Sequence, residues 1–209
     1  ALAYRPSNTF VAVSPCWLDG IHEWNGSGFD MLLQTGGARR MCEDSTGRLW
    51  RLSEENVSYY DGTGWTTVVA PGLPFGSPAF LRADPSNAGN IWASMSFEFR
   101  RTDGTNHFIR HVGDFPGLTE NSDVFLGLVP DANGFAWVGA TALYDGEEGQ
   151  AGALIHIDSN TGNYEIFRSA LGWPFPGRTV TPFAVTRDGR VWMQYDDILY
   201  PYDEKGLAW

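Results

Sequence analysis

The stretch DSTGRLWRLSEENVSYYDGTGW, residues 44–65, decides how this chain is read. Asp44 to Gly47 makes a first turn, and Leu49-Trp50-Arg51-Leu52 reads as a strand. After a loop at Ser53-Glu54-Glu55, Val57-Ser58-Tyr59-Tyr60 forms a second strand. Asp61-Gly62 then turns the chain into a third strand that starts at Trp65. Asp-Gly between two strand-like runs is a strong hairpin signal, because glycine tolerates the positive φ that such turns require.

The pattern recurs along the chain. Trp50, Trp92, Trp137 and Trp192 mark strand centres spaced by about 42, 45 and 55 residues, near the roughly 40–50-residue period of a propeller blade. Phe10 sits in a matching context about 40 residues before Trp50. Five units follow, at about 1–37, 38–75, 76–120, 121–176 and 177–209. The strand segments are ALAYR, TFVAV, GIHEW and 29–33 in the first unit, then RRMCE, GRLWRL, NVSYY and GWTTVV in the second. AFLRA, NIWASM, FEFRR and HFIRHV build the third; DVFLGLV, FAWVGA, ALIHID and YEIFRS the fourth; VTPFAV, RVWMQ and ILYPY the fifth, whose fourth strand is only begun. One four-stranded meander cannot bury two apolar faces by itself, and radial stacking of several meanders can. A β-sandwich is the competitor, but the fixed period and the turn–Trp register favour an all-β chain, a β-propeller of four-stranded antiparallel blades forming a single domain over 1–209. Whether five units close a small ring, with ALAYR opening the first unit or completing the last, or belong to a ring with more blades, stays open.

Composition agrees. Nine Trp, thirteen Phe and eight Tyr suit pleated sheets, and twenty-five Gly with twelve Pro supply turns. The formal net charge of −11 repels phosphate backbones, so nucleic acid is not an expected partner. No run approaches the ~20 apolar residues of a transmembrane helix. The chain begins at Ala1 rather than Met, which suggests a processed or excised piece of a longer protein. Cys16 and Cys42 have no metal or redox spacing and are expected as two free, mostly buried thiols rather than a disulfide.

The segments PGLPFGSPAFLRADPSNAGNIWAS (71–94), FPGLTENSDVFLGLVPDANGFAWVGA (115–140) and LGWPFPGRTVTPFAVTRDGRVWMQ (171–194) resemble two-component regulator propeller repeats. Each pairs a Gly-Leu-Pro-like loop with an apolar strand, an Asp-x-x-Gly-like turn and an apolar-Trp strand. The resemblance covers nearly the whole chain; the first unit departs most, with Pro6-Ser7-Asn8 for the turn and Phe10 for the Trp. It implies an extracytoplasmic ligand-binding sensor region, periplasmic or secreted, of the kind attached to kinase or cyclase-type output modules. It also implies that the recurrent Trp, Gly and Asp build blades and carry no ligand specificity.

Function in such a scaffold belongs to its loops. Where the second-to-third strand loops meet the connections between units, Trp17, Tyr144, Trp173, Phe175 and Tyr195 would form an aromatic mouth suited to sugar rings or flat apolar ligands. Trp173 and Phe175 serve equally well as plugs between blades. Arg39, Arg40, Asp123 and Arg178 start innermost strands, where arginine suits bidentate capture of a carboxylate or phosphate. Alternatively the arginines neutralise Asp123 or Glu54 and Glu55 in a structural ion-pair network. Glu54 and Glu55 occupy the least repeated part of the second unit and complete the candidate set. The insertion 144–150, YDGEEGQ, lacks the alternating oxygen spacing of a calcium loop and reads as a solvated tip. No cofactor or metal is expected.

Catalytic signals are thin. His22, His107, His111 and His156 show no Glu-x-x-His or His-x-x-x-His pattern, and no Gly-x-Ser-x-Gly elbow occurs. The leading expectation is a non-enzymatic recognition propeller binding a small molecule or glycan at its loop face. The alternatives are a lyase- or glycoside-hydrolase-type propeller enzyme, and a structural or adhesion module making protein–protein contacts through its aromatic loops. Beside the ligand, the partners considered are another protein or missing further blades of the same protein.

Overall fold

Strands form here because apolar and aromatic residues alternate along short runs that end in Asp, Asn and Gly turns. The computed structural model describes residues 2–4, 10–13, 20–33, 38–53, 56–68, 78–118, 123–142, 153–168, 181–195 and 198–202. They build five antiparallel sheets, each in consecutive strand order. Sheet one holds β1 (Leu2–Tyr4), β2 (Phe10–Val13), β3 (Ile21–Trp24) and β4 (Phe29–Leu33). In sheet two are β5 (Arg40–Glu43), β6 (Leu49–Leu52), β7 (Val57–Tyr60) and β8 (Trp65–Thr67). Sheet three holds β9 (Pro78–Ala83), β10 (Ile91–Met95), β11 (Glu98–Thr102) and β12 (His107–His111). A 3₁₀ turn, Val112–Asp114, follows. Sheet four comprises β13 (Asp123–Pro130), β14 (Phe135–Ala142), β15 (Ala153–Asp158) and β16 (Tyr164–Arg168). Sheet five has three strands, β17 (Thr181–Val185), β18 (Val191–Tyr195) and β19 (Ile198–Tyr202).

Each sheet packs on the next through its first strand: β1 on β5, β5 on β9, β9 on β13 and β13 on β17. First strands are therefore innermost, and the sheets fan out around them. The core lies between sheets rather than inside any one of them. Trp50 is fully buried with Leu81, Ile91, Ala93 and Met95 of the following sheet. Trp92 is buried with Ala136, Val138 and Ala140, and Trp137 with Val191 and Met193. Truncating one such aromatic removes both transfer energy and packing, a cost of about 3–5 kcal/mol.

The turns below these tryptophans form the frame. Asp44, 4% exposed, accepts hydrogen bonds from Thr46 N (2.8 Å), Thr46 Oγ1 (2.6 Å), Arg48 Nε (2.9 Å) and Trp50 Nε1 (2.7 Å). Arg48 lies over the Trp50 and Tyr59 rings at 5.1 and 5.0 Å, and its two Nη groups donate to the Asp103 carbonyl (3.1 Å) and the Gly89 carbonyl of sheet three. Asp84 repeats the design with a different partner. It accepts from Ser86 N and Oγ and from Arg101 Nε, while buried Trp92 Nε1 makes no hydrogen bond.

Sheets four and five approach unusually closely at Gly127, where the β13–β14 register shifts. A Cβ there would stand 2.6 Å from Thr181 Cγ2 and 2.8 Å from Pro182 Cδ. Gly127→Ala is therefore expected to overpack this contact and cost about 1–3 kcal/mol. A lowered urea midpoint with an unchanged slope would report it; an unchanged midpoint would show that sheet five yields freely.

Candidate functional site

Strand direction sorts the chemistry between the two ends of the fan. The Asp turns, with Asp44, Asp84 and Asp131, and the hairpins, with Asp61, Asp103 and Asp158, share one end. At that end the carboxylates are occupied in turns. Asp61 accepts from Thr63 Oγ1, Thr63 N and Gly64 N, which hold its carboxyl down to about 2. Asp103 is likewise held down to about 2, first by Asn106 N, then opposed by partial burial, with Asn106 Nδ2 and Thr105 N assisting. Groups ionised so firmly do not act as acids near neutral pH.

Histidine is spent in packing too. His156 stacks on Trp137 at 4.1 Å and on Phe135 at 4.8 Å, and His107 Nδ1 lies 2.8 Å from Thr102 Oγ1. Among the described residues, no three His, Cys, Asp or Glu side chains come together as a metal set. No helix among them is long and apolar enough to cross a membrane.

Cys42 is a free thiol, and Cys16 lies outside the described residues. Burial, then the neighbouring Asp44 carboxylate, push the Cys42 thiol up to about 12 against the opposing field of Arg82. Cys42 should therefore stay unlabelled by iodoacetamide at pH 8 in the folded chain and label fully in urea, read by peptide mass mapping. Rapid native labelling would show that the thiol is accessible.

The opposite end collects the starts of the innermost strands and the second-to-third strand connections. Here Arg39 and Arg40 are exposed at the head of β5. Arg39 N donates to Leu52 O (2.9 Å), and Arg40 Nη1 donates to Arg39 O (3.0 Å). Asp123 begins β13 at the same end. Tyr195 ends β18 there, with its side chain outside the described residues. Trp17, Glu54, Glu55, Tyr144, Trp173 and Arg178 also lie outside the described residues. Of the nine candidates, two are thus placed with their side chains, as neighbouring exposed cations in a chain of net charge −11.

Ser94 and Met95 complete β10, in agreement with the NIWASM strand, and are 1% and 2% exposed. The β10–β11 link is Ser96-Phe97, one residue longer than the strand segments imply, and it is held in place: Ser96 O accepts from Phe125 N (2.7 Å) and Phe97 O from Val112 N (2.9 Å).

Sequence reading missed an ion pair just below this link. Glu98 and Arg100 are 1% and 2% exposed, on the face of β11 that meets sheet two. Arg100 Nε donates to Glu98 Oε1 (2.6 Å) and Nη2 donates to the same oxygen, while Glu98 Oε2 and Arg100 Nη1 make no hydrogen bond. Burial raises the Glu98 carboxyl above its usual range, although Arg100 and His111 pull it down. The signal was present in Glu98-Phe99-Arg100-Arg101. In a sheet covered on both faces, both parities of a third strand are buried, so its charges must pair.

No family model matches the sequence, and no curated protein matches it. Solved structures do resemble it. The extracellular domain of the one component system BT4673 from B. thetaiotaomicron superposes with a TM-score of 0.63 at 13% identity, over 99% of this chain and 30% of that one. The GH74 enzyme of Niastella koreensis gives 0.59 at 14%, over 97% of this chain and 38% of its own. The extracellular domain of the hybrid two component system BT3049 from B. thetaiotaomicron gives 0.57 at 15%, over 98% and 28%. This chain spans well under half of each. At these identities the likeness is one of fold, and the five sheets are of propeller type.

Proposed function

We propose that this chain is part of an extracytoplasmic recognition propeller that binds an anionic small molecule or an acidic glycan at its loop end. The observation that carries the reading is the division of labour along the sheets. The repeated carboxylates are held in turns at one end, whereas Arg39 and Arg40 stand exposed at the other. A guanidinium group suits a carboxylate or phosphate, which it engages through parallel N–H donors. Trp17, Tyr144, Trp173 and Tyr195 would supply stacking surface, and Glu54, Glu55 and Arg178 would set selectivity at the rim. The extracellular sensor domains among the structural neighbours support the extracytoplasmic setting and a sensing role.

Calorimetric titration with uronic-acid oligosaccharides, small dicarboxylates and their neutral counterparts tests the reading. Binding should favour the anions, and the Arg39→Ala, Arg40→Ala double variant should weaken it at least tenfold with unchanged thermal stability. Equal affinity in the double variant would remove the arginines from the site. The GH74 neighbour favours a second reading, a carbohydrate-active enzyme. Product release from polysaccharide, abolished by Glu54→Gln or Glu55→Gln with binding retained, would replace recognition by catalysis.

A further inference from the structure

The interfaces between consecutive sheets from two to five share one design. A second-strand tryptophan of one sheet, 0–1% exposed, meets small or aliphatic second-strand residues of the next. Trp192 holds the matching position in sheet five, between its register partners Ala184 and Pro201. Its neighbours Val191 and Met193 point the other way and are buried against sheet four. Trp192 itself is partly exposed, and Phe183 and Leu199 beside it are 57% and 46% exposed.

Sheet one shows the reverse face. Ile21 packs into sheet two, so His22 and Trp24 lie on the outer side. Met31 pairs with His22, and Phe29 pairs with Trp24 and meets it edge-on at 5.1 Å. Phe29 and Met31 are 57% and 55% exposed. Among the described residues, five large hydrophobic side chains are exposed: Phe29, Met31, Tyr164, Phe183 and Leu199. Four of the five thus stand on the two end faces, grouped rather than scattered singly. Among the described residues no packing comparable to β13 on β17 joins β17 back to β1.

We infer that these two end faces are docking surfaces for further sheets of the same four-stranded pattern, carried by polypeptide beyond the 209 residues and completing the ring. The occupant follows from continuity with the inter-sheet contacts. Each of those sets a large aromatic against Ile, Ala, Val or Met. Among the described residues the two end faces do not meet: no first-strand packing of the kind that joins consecutive sheets links β17 to β1, and Phe29, Met31, Phe183 and Leu199 stay exposed. That open edge argues against closure of the chain on itself, and a head-to-tail second copy would bring together two chains of net charge −11. A sheet with small residues facing Trp192, and another with its own tryptophan facing sheet one, fits both ends.

Hydroxyl-radical footprinting of the intact natural protein, read by mass spectrometry beside its native mass, tests this. Tyr164, 39% exposed, and Trp137, 1% exposed, serve as references in the same sample. After correction for intrinsic reactivity, Phe29, Met31, Phe183 and Leu199 should label like Trp137, at least tenfold below Tyr164, in a monomer heavier than this chain. Labelling at the Tyr164 level would overturn the proposal by showing both faces open to water. Protection lost on dilution, with a fall in native mass, would overturn it in favour of a second copy. Protection in a monomer no heavier than this chain would overturn it in favour of self-closure.

Discussion

Replacing Asp44 with alanine is expected to destabilise the chain by about 3–5 kcal/mol, the cost of stripping a partner from a buried charged network. The Asp44 carboxylate satisfies the indole N–H of fully buried Trp50, the Arg48 guanidinium and the Thr46 turn together. Its removal orphans the Trp50 donor inside the core between sheets two and three. Asp44→Asn keeps an acceptor for Trp50 and should cost less than half as much.

The pH dependence of the same variant has a definite sign. Burial raises the Asp44 carboxyl, but hydrogen bonds from Thr46, Trp50 and Arg48 outweigh it and leave the folded group below its ordinary value. The stabilisation it gives is therefore present above the unfolded value of about 3.9 and lost as pH falls through the lower folded value. Urea midpoints measured from pH 6 to pH 2 should drop less steeply for Asp44→Asn than for the parent chain. Parallel curves would mean that this carboxylate is not linked to folding.

Arg100→Ala should be comparably severe at pH 7, again about 3–5 kcal/mol, because it leaves Glu98 charged and alone between sheets two and three. The sign here is opposite. The Glu98 carboxyl already sits above its usual range through burial, and loss of Arg100 raises it further. A raised carboxyl favours the folded state below the unfolded value of about 4.3, and that advantage is lost as pH rises through the folded value. The Arg100→Ala penalty should thus shrink at pH 4. A double change to Glu98→Leu and Arg100→Met removes both charges at similar volume and should be neutral or stabilising, by up to about 4 kcal/mol. Chemical denaturation of both variants at pH 4 and pH 7 decides it. An Arg100→Ala penalty that is absent at pH 7, or equal at both, would show that water reaches the pair.

The sheets were legible in the sequence because their signals repeat. Asp-x-x-Gly before an apolar-Trp strand is weak once and strong when it returns near Trp50, Trp92, Trp137 and Trp192. Neighbouring sheets also impose one packing rule on each copy, so local preference and tertiary contact agree. The loop end has no such redundancy. Trp17 and Tyr144 occur in segments without counterparts in the other units, so no register fixes their direction. Glu98 and Arg100 went unnoticed because alternating charge on a strand normally marks a wet face, and sheet three has none.

Arg48 gives the molecule a mechanical polarity. It spans sheets two and three at the turn end, touching Trp50, Tyr59, Asp103 and Gly89. Tied there by Arg48, the same two sheets are closed toward the loop end by apolar packing through Leu52, Val57 and Met95, so one interface is fastened by charge at one end and by hydrocarbon at the other.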